Sequence, residues 1–210
     1  MSLFLPEPTK YDLNFGLFGI SVRVSIGFWA VHGLIAAIAI AVGSFVDGIY
    51  WILGAFVSIM VHELGHVLVG RFFGSRGEII LTPLGGLAGG ASELHQRRHR
   101  ILVYLAGPLA QLLLAGLLWL VIWLILTPAL INQQVEEFVA NPNNVGTYTY
   151  LHGILFYVTL LMAFNVSTAI FNLLPIPPLD GGKIMEELLG KRGLSNRAPW
   201  ERDPNWWKRG

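Results

Sequence analysis

Residues 101–126 read ILVYLAGPLAQLLLAGLLWLVIWLIL, a run without one charged side chain. A helix crosses the hydrocarbon core of a bilayer in about 20 residues, so this stretch is long enough to span. Composition agrees. Apolar residues make up 54% of the 210-residue chain and charged residues 13%, where a soluble domain carries about 25% charge. Four buried helices of a soluble protein are therefore a poor alternative. The formal net charge of +1 gives no reason to expect a nucleic-acid partner, and the absence of cysteine removes disulfides and thiolate metal sites.

Working outward, three more segments have the length and apolarity of spans: 27–46, 50–71 and 150–173. The third apolar run continues to Ile131 and reads as broken by Pro108 and Pro128. Its length exceeds a ~30 Å core, so part of it must tilt or lie outside. Two segments are not helical in pattern. Residues 20–26, ISVRVSI, alternate with period 2, as a short strand does. Residues 78–90, EIILTPLGGLAGG, read as a strand and hairpin at the membrane edge, and at that depth such backbone needs protein or a watery cavity beside it. The expected fold class is an all-α polytopic membrane protein with about four transmembrane helices, a short N-terminal strand and a membrane-associated β-hairpin. Three regions follow: a cytoplasmic N-terminal segment 1–26, a core 27–190, and a polar tail 191–210 with Trp200, Trp206 and Trp207.

Short-loop Lys and Arg set the orientation. The 71–100 loop holds Arg71, Arg76, Arg97, Arg98 and Arg100; the C-terminal region from Lys183 onward is also basic; 127–149 has neither Lys nor Arg. Both termini and the 71–100 loop are thus expected in the cytoplasm. The N-terminus has prolines and acids without an apolar run, so no cleavable signal is read there.

The second span contains VHELGH, with His62, Glu63 and His66 in H-E-x-x-H spacing. At ~100° per residue, His62 and His66 lie ~40° apart on one helix face, so both imidazoles can reach one Zn²⁺. Glu63 sits at the edge of that face, placed to take a proton from a zinc-held water. Ionisable groups inside a span cost several kcal/mol and usually mark function, which makes a purely structural role for all three improbable. A catalytic zinc needs a third protein ligand. Asp180 is the candidate, in FNLLPIPPLDGGK after the fourth span, where prolines end the helix and Gly181 and Gly182 allow a tight turn. The charge-based orientation puts H-E-x-x-H and Asp180 at the same cytoplasmic depth.

With VHELGH (61–66) and NLLPIPPLDG (172–181) together, the chain resembles the site-2 protease family of intramembrane zinc metalloproteases. Asn172, Pro175, Leu179, Asp180 and Gly181 occupy the fixed positions of the family pattern N-x-x-P-x-x-x-L-D-G. The resemblance covers roughly residues 20 to 189. It implies one zinc on His62, His66 and Asp180, with Glu63 as catalytic base. It implies a substrate too: a membrane-spanning segment of another protein, cut within or near the bilayer. A regulatory membrane protein is a further expected partner, and a small multi-span chain without a read targeting signal fits a bacterial inner membrane. More loosely, AGPLA (106–110) resembles the family's Gly-Pro segment; Gln111 stands where the family often has Asn, implying a substrate or oxyanion contact. The 78–90 segment, with Gly85 and Gly86, resembles the family's hairpin, which pairs with an unwound substrate as an added strand. Asn172 is expected to brace the Asp180 loop. No room for a PDZ domain exists between the motifs.

Two other functions compete. A metal transporter would need polar groups through several spans, and the third offers only Gln111. A non-catalytic relative that binds membrane helices would be expected to have lost Glu63 or a ligand, and all are present. His32 reads as a bundle-facing polar residue, Asn165 as an interhelical hydrogen-bonder, and His95 and His99 as a solvated cytoplasmic face.

Overall fold

The structure, a computed structural model, describes residues 7–128, 131–132 and 148–190. The tail 191–210 and most of the 127–149 loop lie outside the described residues. The chain begins with strands β1 (Leu13–Leu17) and β2 (Ile20–Val24), followed by helices α1 (Ile26–Val42) and α2 (Phe45–Phe72). Strands β3 (Ile79–Thr82) and β4 (Gly85–Ala88) come next, then helix α3 (Arg97–Val121), a π-helical turn at Ile122–Leu126, α4 (Tyr148–Asn172) and α5 (Asp180–Leu188).

The break between α1 and α2 falls earlier than the expected spans 27–46 and 50–71. Gly43 ends α1, and Ser44 starts α2 with a reciprocal cap: its Oγ accepts from Asp47 N at 3.3 Å and its N donates to Asp47 Oδ2 at 2.6 Å. A Ser with an acid three residues on satisfies two orphaned amides and fixes the helix start. α1 is thereby left with 17 residues, about 26 Å of helix. Among the described residues three helices are long and apolar enough to cross a membrane, Phe45–Phe72, Arg97–Ile125 and Gly153–Asn172, and α1 is a shorter apolar helix. Pro108 does not break the third apolar run. It sits buried inside α3, which continues past it, as neighbouring helices in a bundle allow.

The two expected non-helical segments form one sheet of order β1-β2-β3-β4. The hairpin spans β3 and β4, joined antiparallel, and β2 pairs β3 in parallel. β1 was not anticipated. It turns into β2 through Phe18 (φ 50°) and Gly19 (φ 69°), two left-handed positions that suit the twist of a tight hairpin. Ile20, Val22 and Val24 face inward from β2, and Ile79 and Leu81 join them from β3. They pack on Phe28 of α1 and on Met60 and Val67 of α2. The sheet is thus seated on the half of α2 that carries H-E-x-x-H.

α3 packs extensively against both α2 and α4. Asn165 of α4 bridges to α2, donating from Nδ2 to Ser58 Oγ at 3.0 Å. Nearer the start of α2, Tyr157 of α4 donates to Asp47 Oδ1 at 2.6 Å. At the other end, α5 is clamped to α3. Arg100 Nε and Nη2 each donate at 2.7 Å to the two Glu187 oxygens, and Arg97 Nη2 reaches Leu188 O at 2.6 Å. Arg100 Nη1 also holds Leu94 O and His95 O, at 2.7 and 2.9 Å. One guanidinium therefore fastens the strand-to-helix connection and α5 to the start of α3.

Candidate metal centre

His62 and His66 are one turn apart on α2, and both are 6% exposed. Their rings stand nearly perpendicular, 82° between planes, with Nε2 atoms 3.0 Å apart. Asp180, 4% exposed, brings Oδ2 to 3.0 Å from His62 Nε2 and 3.2 Å from His66 Nε2. One atom from each residue thus meets at a point, although 118 positions separate His62 from Asp180.

Three local features set this up. At α5, Gly181 and Gly182 lie directly on the main chain of the preceding turn; a Cβ on Gly182 would sit 2.5 Å from Pro177 N, and one on Gly181 would overlap Leu173 O. Only glycine lets the first turn of α5 fold back that closely, which carries Asp180 beneath α2. At the crossing of α2 and α3, a Cβ on Gly65 would meet Ala106 C and Ala110 Cβ at 2.9 Å, so small residues bring the helices together at this depth. On α3, a Cβ on Gly107 would fall 2.8 Å from His62 Nε2 and closer to His66 Nε2. Gly107 therefore leaves an open cradle between the two ring nitrogens.

The hydrogen bonds orient the rings. His66 Nδ1 is 2.7 Å from Val103 O, a carbonyl that only accepts, so Nδ1 carries the proton and Nε2 presents a lone pair. His62 Nδ1 is 3.0 Å from Gln111 Oε1. Lys183 Nζ donates to Asp180 Oδ1 at 3.2 Å, which leaves Oδ2 for the histidines. Two neutral imidazole nitrogens and a carboxylate oxygen form the donor set of a hydrolytic zinc site. Tetrahedral zinc with bonds of ~2.0–2.2 Å needs ligand atoms about 3.3–3.5 Å apart, within a few tenths of an ångström of what is seen. Converging lone pairs, spacing and the Gly107 cradle all fit the ion.

Glu63 is 4% exposed. Gly86 of β4 lies against it so tightly that a Cβ there would overlap the Glu63 side chain. The sheet edge is therefore immediately beside the acid. Gly85 has φ +145° and open space around its Cα, and Thr82 Oγ1 donates to its carbonyl at 2.9 Å. Gln111, 2% exposed, has both ends of its amide bonded within the protein, the second to Thr168 Oγ1 at 3.0 Å. Asn172 is half-buried at the last position of α4. His32 is buried between Phe28 and Trp51, away from the cluster, and His99 stacks on Phe73 at 4.0 Å. The parts that spacing did not indicate are Gly107, the Val103 carbonyl, Thr168, Lys183 and the Arg100–Glu187 pair. Of these only Gly107 had a visible signal, lying within the Gly-Pro segment.

A buried cluster of three metal-ligating side chains with an acid beside it, two of the three on a helix long enough to span a membrane, points to the class of membrane metallohydrolases. The model of "Peptidase family M50" matches residues 50–199, and the chain belongs to that family. It is 28% identical over 179 residues to a zinc metalloprotease of Methanocaldococcus jannaschii, covering 85% of this chain and 45% of that protein. Stage IV sporulation protein FB of Bacillus subtilis is 29% identical over 170 residues, covering 77% of this chain and 48% of that protein. The chain thus spans less than half the length of these two relatives. Among solved structures, the site-2 protease from Methanocaldococcus jannaschii shares the fold at a TM-score of 0.57 and 24% identity, covering 87% of this chain and 73% of that one. Family and helices together make the chain an integral membrane protein.

Proposed function

We propose that the chain is a zinc-dependent intramembrane endopeptidase that cuts membrane-spanning segments of other proteins. The observation that carries this is the convergence of His62, His66 and Asp180 on one point, with Glu63 beside it beneath the edge of the sheet. His62, His66 and Asp180 hold the metal. When bound, zinc supplies Lewis acidity, which brings the pKa of water to ~7 and polarises a carbonyl. Glu63 accepts the proton of the attacking water and delivers it to the leaving amine nitrogen as the C–N bond breaks. A transporter would not need that acid. Burial excludes bulk water, so each charge interaction at the centre is stronger than in solution.

A helical peptide bond is shielded by its own hydrogen bonds, so a substrate must be extended before attack. β4 is an edge strand one layer from Glu63. We assign it the pairing of the unwound segment, with Gly86 bringing the strand close against Glu63. Asn172, eight residues before Asp180, supports the turn that presents the ligand. In this reading α1 is a fourth, short span, and the basic 71–100 connection puts the site and both termini on the cytoplasmic side of a bacterial inner membrane. A regulatory membrane protein would control access.

The test pairs metal content with cleavage. Wild type and Glu63→Gln are purified in detergent, zinc per chain is measured, and each is incubated with a panel of single-span membrane proteins. One zinc in both, with cleavage only by the wild type, is expected. Asp180→Asn should weaken zinc binding and lose activity as well. Cleavage by Glu63→Gln at the wild-type rate would refute the base assignment, and a folded wild type without zinc would refute the function.

A further inference from the structure

Gln111 bonds at both ends, and the direction of each bond can be deduced. Thr168 Oγ1 lies 2.7 Å from Phe164 O and 3.2 Å from Asn165 O. Both are carbonyls, which only accept, so the hydroxyl proton is spent on them and the oxygen is left to accept. Gln111 Nε2, 3.0 Å away, must then be the donor to Thr168. That choice points Gln111 Oε1 at His62 Nδ1, 3.0 Å distant. His62 Nδ1 therefore carries the proton, and Nε2 faces Asp180 and His66 as a lone pair. The chain of bonds runs from the α4 main chain through Thr168 and Gln111 of α3 to the α2 ligand. His66 gains the same tautomer from a main-chain carbonyl, which no substitution removes; His62 depends on a side chain.

We propose that Gln111 is a positioning residue of the metal centre, fixing the tautomer and ring orientation of His62 through Thr168, rather than a donor to the substrate. This rests on the metal-site reading above. Partners of this kind, on the far nitrogen of a ligating histidine, typically change metal affinity by ~10–100-fold when removed. A donor to substrate would instead leave affinity alone and lower turnover. The amide is also poorly placed for substrate, being 2% exposed and occupied at both ends.

The test uses the full chain in detergent, with zinc affinity read by competition against a chelating dye and helicity checked by circular dichroism. Gln111→Met fills the same space without an acceptor and should bind zinc ~10–100-fold more weakly. Gln111→Glu keeps an acceptor for His62 Nδ1, and the Thr168 hydroxyl can rotate to donate to its other oxygen. It should hold zinc within about threefold of wild type or tighter, since carboxylate–histidine–zinc arrangements raise ligand basicity. Thr168→Val should fall between them. Rescue by Glu separates positioning from simple packing, and it opposes the substrate-donor role, because a carboxylate has no donor and repels an oxyanion. Wild-type zinc affinity in all three variants, or equal loss in Gln111→Met and Gln111→Glu, would overturn the proposal. A wild type that binds no zinc would overturn the metal site itself, and this role with it.

Discussion

The most direct test of the metal centre leaves every ligand in place and fills the space between them. Gly107→Ala puts a methyl group 2.8 Å from His62 Nε2 and nearer still to His66 Nε2. Normal carbon contacts are ~3.5–4.0 Å, so at least one imidazole must move by roughly 1 Å. His62 cannot turn without losing Gln111, nor His66 without losing Val103 O. Loss of a supporting contact alone costs ~10–100-fold in affinity. Displacing a ligand should cost more than ~100-fold, which is about 2.7 kcal/mol. The fold has a compensating term, since Ala is favoured over Gly inside a helix by about 1 kcal/mol. The apoprotein should therefore keep its helicity and melting temperature while zinc binding collapses. Dye-competition titration measures the affinity, and circular dichroism provides the control for folding. A folded Gly107→Ala chain with zinc affinity within about threefold of wild type would show that the ion does not sit between these nitrogens.

Gly86→Ala should spare zinc and cut turnover at least ~10-fold, because the new methyl displaces Glu63, whose misplacement removes a proton-transfer contribution of ~10²–10⁴; parallel zinc and cleavage assays check this, and unchanged turnover would place Glu63 elsewhere in the working enzyme. Arg100→Gln strands Glu187 and releases Leu94 O and His95 O as well, so it should cost about 3 kcal/mol and loosen α5, lowering zinc affinity along with the melting temperature. Glu187→Gln should do less, and an Arg100→Glu/Glu187→Arg double variant should recover part of the loss; chemical denaturation and zinc titration on the set measure both. Chelation should abolish cleavage and lower the melting temperature, and both should return with zinc, since a ligand at ~1,000 times its Kd stabilises by about 4.1 kcal/mol.

What could be read from the chain beforehand follows the range over which each rule acts. H-E-x-x-H was legible because a helix puts positions four apart on one face whatever surrounds it. Asp180 was legible because the prolines and glycines about it act on their own backbone. The end of α1 differs from the expected boundary at 46 for a reason equally local: Ser44, inside the apolar run 27–46, caps α2 together with Asp47. β1 was missed because its hairpin turn is Phe18–Gly19 rather than Asn-Gly, so the left-handed positions carried no strong signal. The support of the ligands belongs to another category. Gln111 and His62 are 49 residues apart, and Arg100 and Glu187 are 87 apart, and no periodicity links such pairs. Around them Gly65 lets α2 lie on the α3 main chain, Gly107 leaves room for the two imidazoles, and Gly181 and Gly182 lie on the main chain of the turn before α5. A glycine in an apolar span looks like a weak helix position until its neighbours are known. Here Gly65 and Gly107 determine how near α2 and α3 can come around the ring nitrogens. The chemistry of the centre is thus encoded in two local motifs of polar residues, and its geometry in side chains absent at Gly65 and Gly107. Substitutions at the glycines should consequently damage the metal site without touching a ligand, which is the outcome the Gly107→Ala titration is designed to detect.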